Sequence, residues 1–406
     1  MNTAVQSCPA SASCRRARRC MYAASLLQGM VFYGPIATLY RQARGISIFQ
    51  ISIIESVCLI LAICLEIPWG IVADRIGYKR TLVICAFLGV LSKLIFWRAD
   101  TFGMFLAERI VLAVVLAGTS GVDAAYLVTF IPEGQRHAVF GRYEALGTVG
   151  LLGASIVYSL FVKDRYELAG LLTVCSYACA AVFVAIAPKD IRASSAGFRL
   201  KLHAKERVAS IGTITSSLKS FLPVLFATSL LAATNQTVGV FLVQLRYVQV
   251  GMMSRSIGIA YLLLTSSGIV GAWSSNRIAS RTGGKRLLVG TAFMATASCL
   301  LMSSGTAGSI FVVVAVCGLR LSASMQVPLR MAIENRVVPY DSRASALSVF
   351  AVFRNIVEIC VSLIFGAMAE RDVRYALVAG ALCCALSALL LLCVQHMDCK
   401  YDICCK

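Results

Sequence analysis

The chain has 406 residues, of which 59% are hydrophobic and only 14% charged, with a formal net charge of +19. Soluble domains carry roughly a quarter charged residues, so composition excludes a soluble enzyme or binding domain, and the positive mean hydropathy points to a polytopic membrane protein. The basic excess does not indicate nucleic acid, because Lys and Arg are scattered between apolar runs rather than gathered on one polar domain.

Residues 1–19 are polar and end in Cys14-Arg-Arg-Ala-Arg-Arg19, directly before an apolar run. No small-residue cleavage site closes that run, so it reads as a retained first helix with its N-terminus inside. Apolar spans follow at about 20–41, 47–72, 81–97, 102–130, 139–162, 167–187, 220–248, 254–278, 286–303, 308–335, 343–367 and 373–395. The expected fold class is therefore an all-α polytopic membrane protein with twelve transmembrane helices. The longest polar connection, 188–219, divides them into bundles at 20–187 and 220–395, with cytoplasmic tails at 1–19 and 396–406. With the N-terminus inside, 25 Lys and Arg fall on the cytoplasmic side and 9 outside, which sets the orientation and places both termini in the cytoplasm.

The turn between the second and third spans is the most informative stretch: Gly70-Ile-Val-Ala-Asp74-Arg75-Ile-Gly77-Tyr-Lys79-Arg80. Gly70 and Gly77 allow close helix approach or a left-handed turn. Asp74 can accept hydrogen bonds from a neighbouring helix N-terminus, and Arg75, Lys79 and Arg80 hold the loop on the cytoplasmic side. A shift of 206 positions lays Arg75, Gly77, Lys79 and Arg80 on Arg281, Gly283, Lys285 and Arg286, so the two bundles read as six-helix pseudo-repeats. Ser280 stands where the first copy has Asp74, and its gate contact should be weaker.

This hinge resembles the signature between the second and third helices of the major facilitator superfamily (MFS). Arg44-Gly-Ile-Ser-Ile-Phe-Gln50, Ser120-Gly-Val-Asp123-Ala-Ala-Tyr126 and Asn335-Arg-Val-Val-Pro339 through Ser348 are similar to further passages of that superfamily, the second of them to bacterial members. The resemblance implies a secondary transporter working by alternating access, with Asp74 in a cytoplasmic gate. Span five carries Gly147-Thr-Val-Gly150-Leu-Leu-Gly153 without the Pro of the drug/proton antiporters; these glycines suit tight helix packing.

Ionisable residues inside spans cost about 2.5–3.5 kcal/mol each and usually face a cavity or a partner. The superfamily's first, fourth, seventh and tenth helices line the central cavity, which makes Gln28, Tyr33, Arg109, Asn235, Gln236, Arg320 and Gln326 the substrate-binding candidates. Coupling candidates are Glu55, Asp123, Arg354 and Glu358; Arg354 and Glu358 lie one turn apart and could equally be a buried structural pair, and Asp123 could join Glu144 in the gate network. Lys93 is expected to snorkel to the surface. If Arg109 and Arg320 face one cavity, an anionic or carboxylate-bearing solute is favoured, with Glu358 or Glu55 as proton carrier and export preferred over import.

Of the seventeen cysteines most lie within spans, and His137, His203 and His396 all sit in loops or termini. No metal site, cofactor or catalytic constellation is expected, and no nucleotide-binding loop occurs. Partners are then a small solute, protons and the lipid bilayer of the cell membrane, without nucleic acid, the chain acting as a monomer. A non-transporting sensor or assembly subunit on the same fold is the competing reading.

Overall fold

The computed structural model describes residues 12–132, 135–162, 165–189, 211–305, 308–337 and 343–394, all of them helix or the turns between helices. In chain order the helices are α1 (Ala12–Gly29), a 3-10 turn Gly34–Ile36, α2 (Ala37–Gln42), α3 (Ile48–Ile76), α4 (Tyr78–Arg98), α5 (Phe102–Thr119), α6 (Val122–Val128), α7 (Arg136–Val157) and α8 (Tyr166–Ile186). Then come α9 (Ile211–Gln236), α10 (Val243–Gln249), α11 (Ser254–Thr282), α12 (Gly284–Ser303), α13 (Ser309–Val337), α14 (Arg343–Ala369) and α15 (Val373–Cys393). Among the described residues eleven stretches are long and apolar enough to cross a membrane. α1 is less apolar, because it begins at Ala12 and takes Arg15, Arg16, Arg18 and Arg19 into its first turns.

Two spans are not continuous. The first breaks after Gly29, and the fourth breaks at Gly121, whose φ of 73° ends α5 and starts α6. Elsewhere glycine marks the repeat: Gly77 and Gly283, 206 positions apart, have φ of 93° and 88° and open α4 and α12. Gly45 and Gly251, also 206 apart, have φ of 78° and 74°. Gly70, by contrast, lies inside α3 with open space around it. Lys79 donates to the Val184 carbonyl at the end of α8, and Lys285 donates to the Val394 carbonyl after α15 at 2.8 Å. Each lysine thus sits at a helix C-terminus, where the helix dipole favours a cation.

By contacts the chain forms two compact units, Met1–Gly34 with Val57–Arg199, and Pro35–Ser56 with Leu200–Lys406. In the first, α1 packs on α7 and α8, and α4 on α5 and α8. Backbone meets backbone there: a Cβ at Gly29 would collide with Gly147, and one at Gly150 with the Leu26 carbonyl. Such close approach, with the Ser25 hydroxyl donating to the Tyr143 carbonyl at 2.7 Å, replaces the hydrophobic drive that lipid cannot supply.

In the second unit α11 and α12 pack on α13, α12 also on α15, and α9 on α14 and α15. Pro35–Ser56 joins this unit through the Thr38 amide, which donates to Gln244 Oε1 at 2.9 Å, the Phe49 amide, which donates to Glu370 at 3.0 Å, and Ser52, which fits against Gly366. Arg41 is fully buried and meets Glu55 at 2.9 Å. Glu55 therefore serves as the counterion that lets a guanidinium sit inside.

Candidate transport cavity

Three helices of the second unit enclose a cavity of about 310 Å3. α9 contributes Ser229, Asn235 and Gln236; α13 contributes Arg320, Ser324 and Arg330; α14 contributes Arg354, Asn355 and Glu358. The local sequence opens the helices at this point. After Gln236 the chain passes into a π-helical stretch, Thr237–Leu242, a wider turn of the kind that marks functional sites. On α13, Pro328 lacks the N–H that would bond the Ser324 carbonyl four residues back. On α11, a Cβ at Gly268 would meet Arg320 Nε at 2.9 Å and Ser324 Oγ at 3.2 Å, so glycine provides the notch in which the Arg320 side chain lies.

The charges divide unequally. Glu334, 4% exposed, sits between two arginines: Arg354 Nη1 is 2.7 Å from its Oε1 and Arg330 Nε is 3.6 Å from the same oxygen. The pairing of Arg354 with Glu358 expected from their one-turn spacing is therefore replaced by a bond to the neighbouring helix, where a bidentate-capable guanidinium reaches a better desolvated carboxylate. Arg320 and Glu358 form no ion pair among the described residues, and both line the cavity. Asn235 is 6% exposed, and its Oδ1 has no hydrogen-bond partner among the described residues.

Five expected residues thus come together: Asn235, Gln236, Arg320, Arg354 and Glu358. Gln326 does not line this cavity. Its amide donates to Thr291 Oγ1 at 2.9 Å and the Leu288 carbonyl at 3.3 Å, tying α13 to α12, because it lies on the opposite side of α13 from Arg320 and Ser324. Glu334, Arg330 and Asn355 were absent from the expected set. The i, i+4 spacing of Arg330 and Glu334 was the available signal, though it could not show that Arg354 shares the carboxylate.

At the hinge, Asp74 and Arg75 are exposed at the end of α3, and so are Arg80, Arg281 and Arg286. Asp74 makes no ion pair among the described residues. Lys79 is buried on Val184.

The family model described as Major Facilitator Superfamily matches residues 20–359. The chain belongs to the Major Facilitator Superfamily. The fold agrees: the nucleoside transporter NupG superposes with a TM-score of 0.74 at 17% identity, covering 95% of this chain and 100% of that one. A D-xylose-proton symporter gives 0.73 at 14% identity with 95% and 98% covered, and a bacterial homologue of the human lysosomal transporter Spinster gives 0.66 at 15% with 97% and 98% covered. No curated protein matches the sequence. The protein is thus a multi-pass membrane transporter rather than an enzyme.

In the first unit this MFS protein holds a second charged cluster. Glu108 is fully buried on α5, with Lys93 Nζ of α4 at 3.7 Å, Arg109 Nε at 3.5 Å and Ser92 Oγ donating at 2.9 Å. Lys93 is 4% exposed and lies 5.3 Å from the Tyr177 ring and 5.9 Å from the Tyr33 ring. It does not snorkel: a buried carboxylate and two aromatic faces solvate the ammonium inside the bundle. Tyr33, just past the break in the first span, stacks on Phe96 with centroids 4.0 Å apart. Gln28 is partly buried on α1. Asp123, at the start of α6, accepts from the Ala124 amide at 2.6 Å and from the Tyr143 side chain, so a helix N-terminus in its own unit holds it.

Proposed function

We propose that this MFS protein is a secondary active transporter that carries a small carboxylate-bearing solute by alternating access, coupled to protons on Glu358. Arg320 carries the reading: it is the cavity arginine that makes no ion pair among the described residues, and an arginine cannot shed its charge to relieve burial. A solute carboxylate supplies the missing counterion in bidentate geometry, and Asn235, Gln236, Ser324 and Asn355 surround it with polar groups. Glu358 stands in the same wall, with Glu55 of α3 as the carboxylate in electrostatic reach. Proton binding there relieves the repulsion between the two.

The gate reading rests on Asp74. A carboxylate in the last turn of a helix opposes the helix dipole, and this one makes no ion pair among the described residues. We assign it, with Gly70, Arg75, Gly77, Lys79, Arg80 and the second copy Arg281, Gly283, Lys285 and Arg286, to the cytoplasmic latch. The positive-inside count supports cytoplasmic termini in the cell membrane, and the linker 188–219 as a cytoplasmic connection between bundles 20–187 and 220–395. Export is the preferred direction, with the monomer as the working unit.

The test is flux. The purified chain in proteoliposomes is expected to exchange radiolabelled carboxylates under a pH gradient, and Arg320→Gln should abolish it with folding intact. Unchanged flux in that variant removes the carboxylate assignment, and a sensor or assembly subunit would show no flux with any solute.

A further inference from the structure

We propose that the solute is an amino acid, its carboxylate on Arg320 and its amine on Glu358. The inference rests on the transport reading above and narrows its substrate class.

Two opposite charges, Arg320 on α13 and Glu358 on α14, line one cavity of about 310 Å3 and form no ion pair among the described residues. In a site of low dielectric an isolated guanidinium and an isolated carboxylate gain most by joining each other. In this structure they do not. Gly268 gives Arg320 a notch against α11, and Glu334 keeps Arg354 and Arg330 from reaching Glu358 as a paired cation. A held, separated pair of charges fits a ligand that carries both signs a few bonds apart.

A carboxylate offers Glu358 no hydrogen-bond donor, whereas an ammonium has three. The acceptor Glu358 and the donor Arg320 in one cavity therefore match an α-amino acid rather than a simple acid.

Charge balance also orders the side chains. Two arginines share Glu334, so that triad keeps one positive charge facing the cavity. An acidic amino acid neutralises it, a neutral one leaves it, and a basic one opposes it. The amine also needs Glu358 ionised, so solute and proton exclude each other on that carboxylate. The charged group in electrostatic reach of it is Glu55 from α3, and Arg354, Arg320 and Arg330 line the same cavity. Mutual exclusion sets solute and proton in competition at this site.

The test is thermal unfolding of the full chain in detergent with glutamate, glutamine, lysine, N-acetylglutamine and glutamine methyl ester. Glutamate and glutamine should raise the melting temperature, lysine less, with N-acetylglutamine weaker by roughly a hundredfold or more in affinity because it leaves the acceptor Glu358 unfilled. Glu358→Gln should erase the difference between glutamine and its N-acetyl form, and Arg320→Lys should weaken glutamine more than the ester. If N-acetylglutamine stabilises the unaltered protein as well as glutamine does, the amine assignment is overturned and the carboxylate reading stands. If the ester binds as well as the free acid, the carboxylate reading falls too. A flat response to all five compounds overturns the amino-acid assignment.

Discussion

Arg354 of α14 reaches across to Glu334 of α13 at 2.7 Å and leaves Glu358, one turn along its own helix, facing the cavity. This contact separates the structural charges of the second unit from its working ones. Glu334 is buried and carries two arginines, whereas Arg320 and Glu358 carry each other's opposite charge without touching.

The first prediction concerns that triad. Glu334→Gln leaves Arg330 and Arg354 without their shared counterion in a partly buried site, and should cost about 3 kcal/mol in mixed-micelle unfolding. Adding Arg354→Gln should recover part of the loss, because the pair acts as a unit. An additive double variant would show that Arg354 is held by something other than Glu334.

Helix approach supplies the second. A Cβ at Gly271 would sit 2.7 Å from the Leu321 carbonyl oxygen and 3.2 Å from Ser324 Cβ, a backbone obstacle that a rotamer change cannot remove. Gly271→Ala should therefore force α11 and α13 apart, at a cost of about 1–3 kcal/mol. Gly290, on α12 with nothing within 4 Å, is the control, and Gly290→Ala should be neutral or slightly stabilising. Equal unfolding midpoints for the two variants would contradict the packing argument.

In the first unit the roles of the cluster members differ. Glu108→Gln removes the carboxylate that Lys93, Arg109 and Ser92 share, and should cost about 3 kcal/mol. Lys93→Met should cost clearly less, since Glu108 retains Arg109 and Ser92 and the methionine fills the space between Tyr33 and Tyr177. Unfolding in detergent ranks the two, and a reversed order would make Lys93 rather than Glu108 the centre of the cluster.

Asp74 offers the reverse pattern, function without stability. It is exposed, and Asp74→Asn should move the unfolding free energy by no more than about 0.5 kcal/mol. Flux in proteoliposomes should nonetheless fall by about five- to a hundredfold, the range of a coupling contact between conformational states. Loss of stability alongside activity would make the residue structural.

Much of this was legible in the chain itself. Span number, the division into two repeats and the superfamily signature follow from solvent: lipid admits only long apolar helices, and a duplicated hinge leaves Gly77 and Gly283, with Lys79 and Lys285, in register 206 positions apart. The breaks at Gly29 and Gly121 were not visible, because an apolar run has the same composition whether or not its helix is continuous.

What the sequence determined by itself was which residues are ionisable within the spans. Only tertiary structure decided who pairs with whom, since counterions come from other helices at distances along the chain that periodicity cannot report. Arg354 sits one turn from Glu358 yet binds Glu334, and Lys93, which looks free to snorkel, is held by Glu108 fifteen positions away on the next helix. Gln326 has the composition of a ligand contact but spends its amide on Thr291. In a low-dielectric interior the partner that satisfies a charge sets its role, and that partner is chosen by packing in three dimensions.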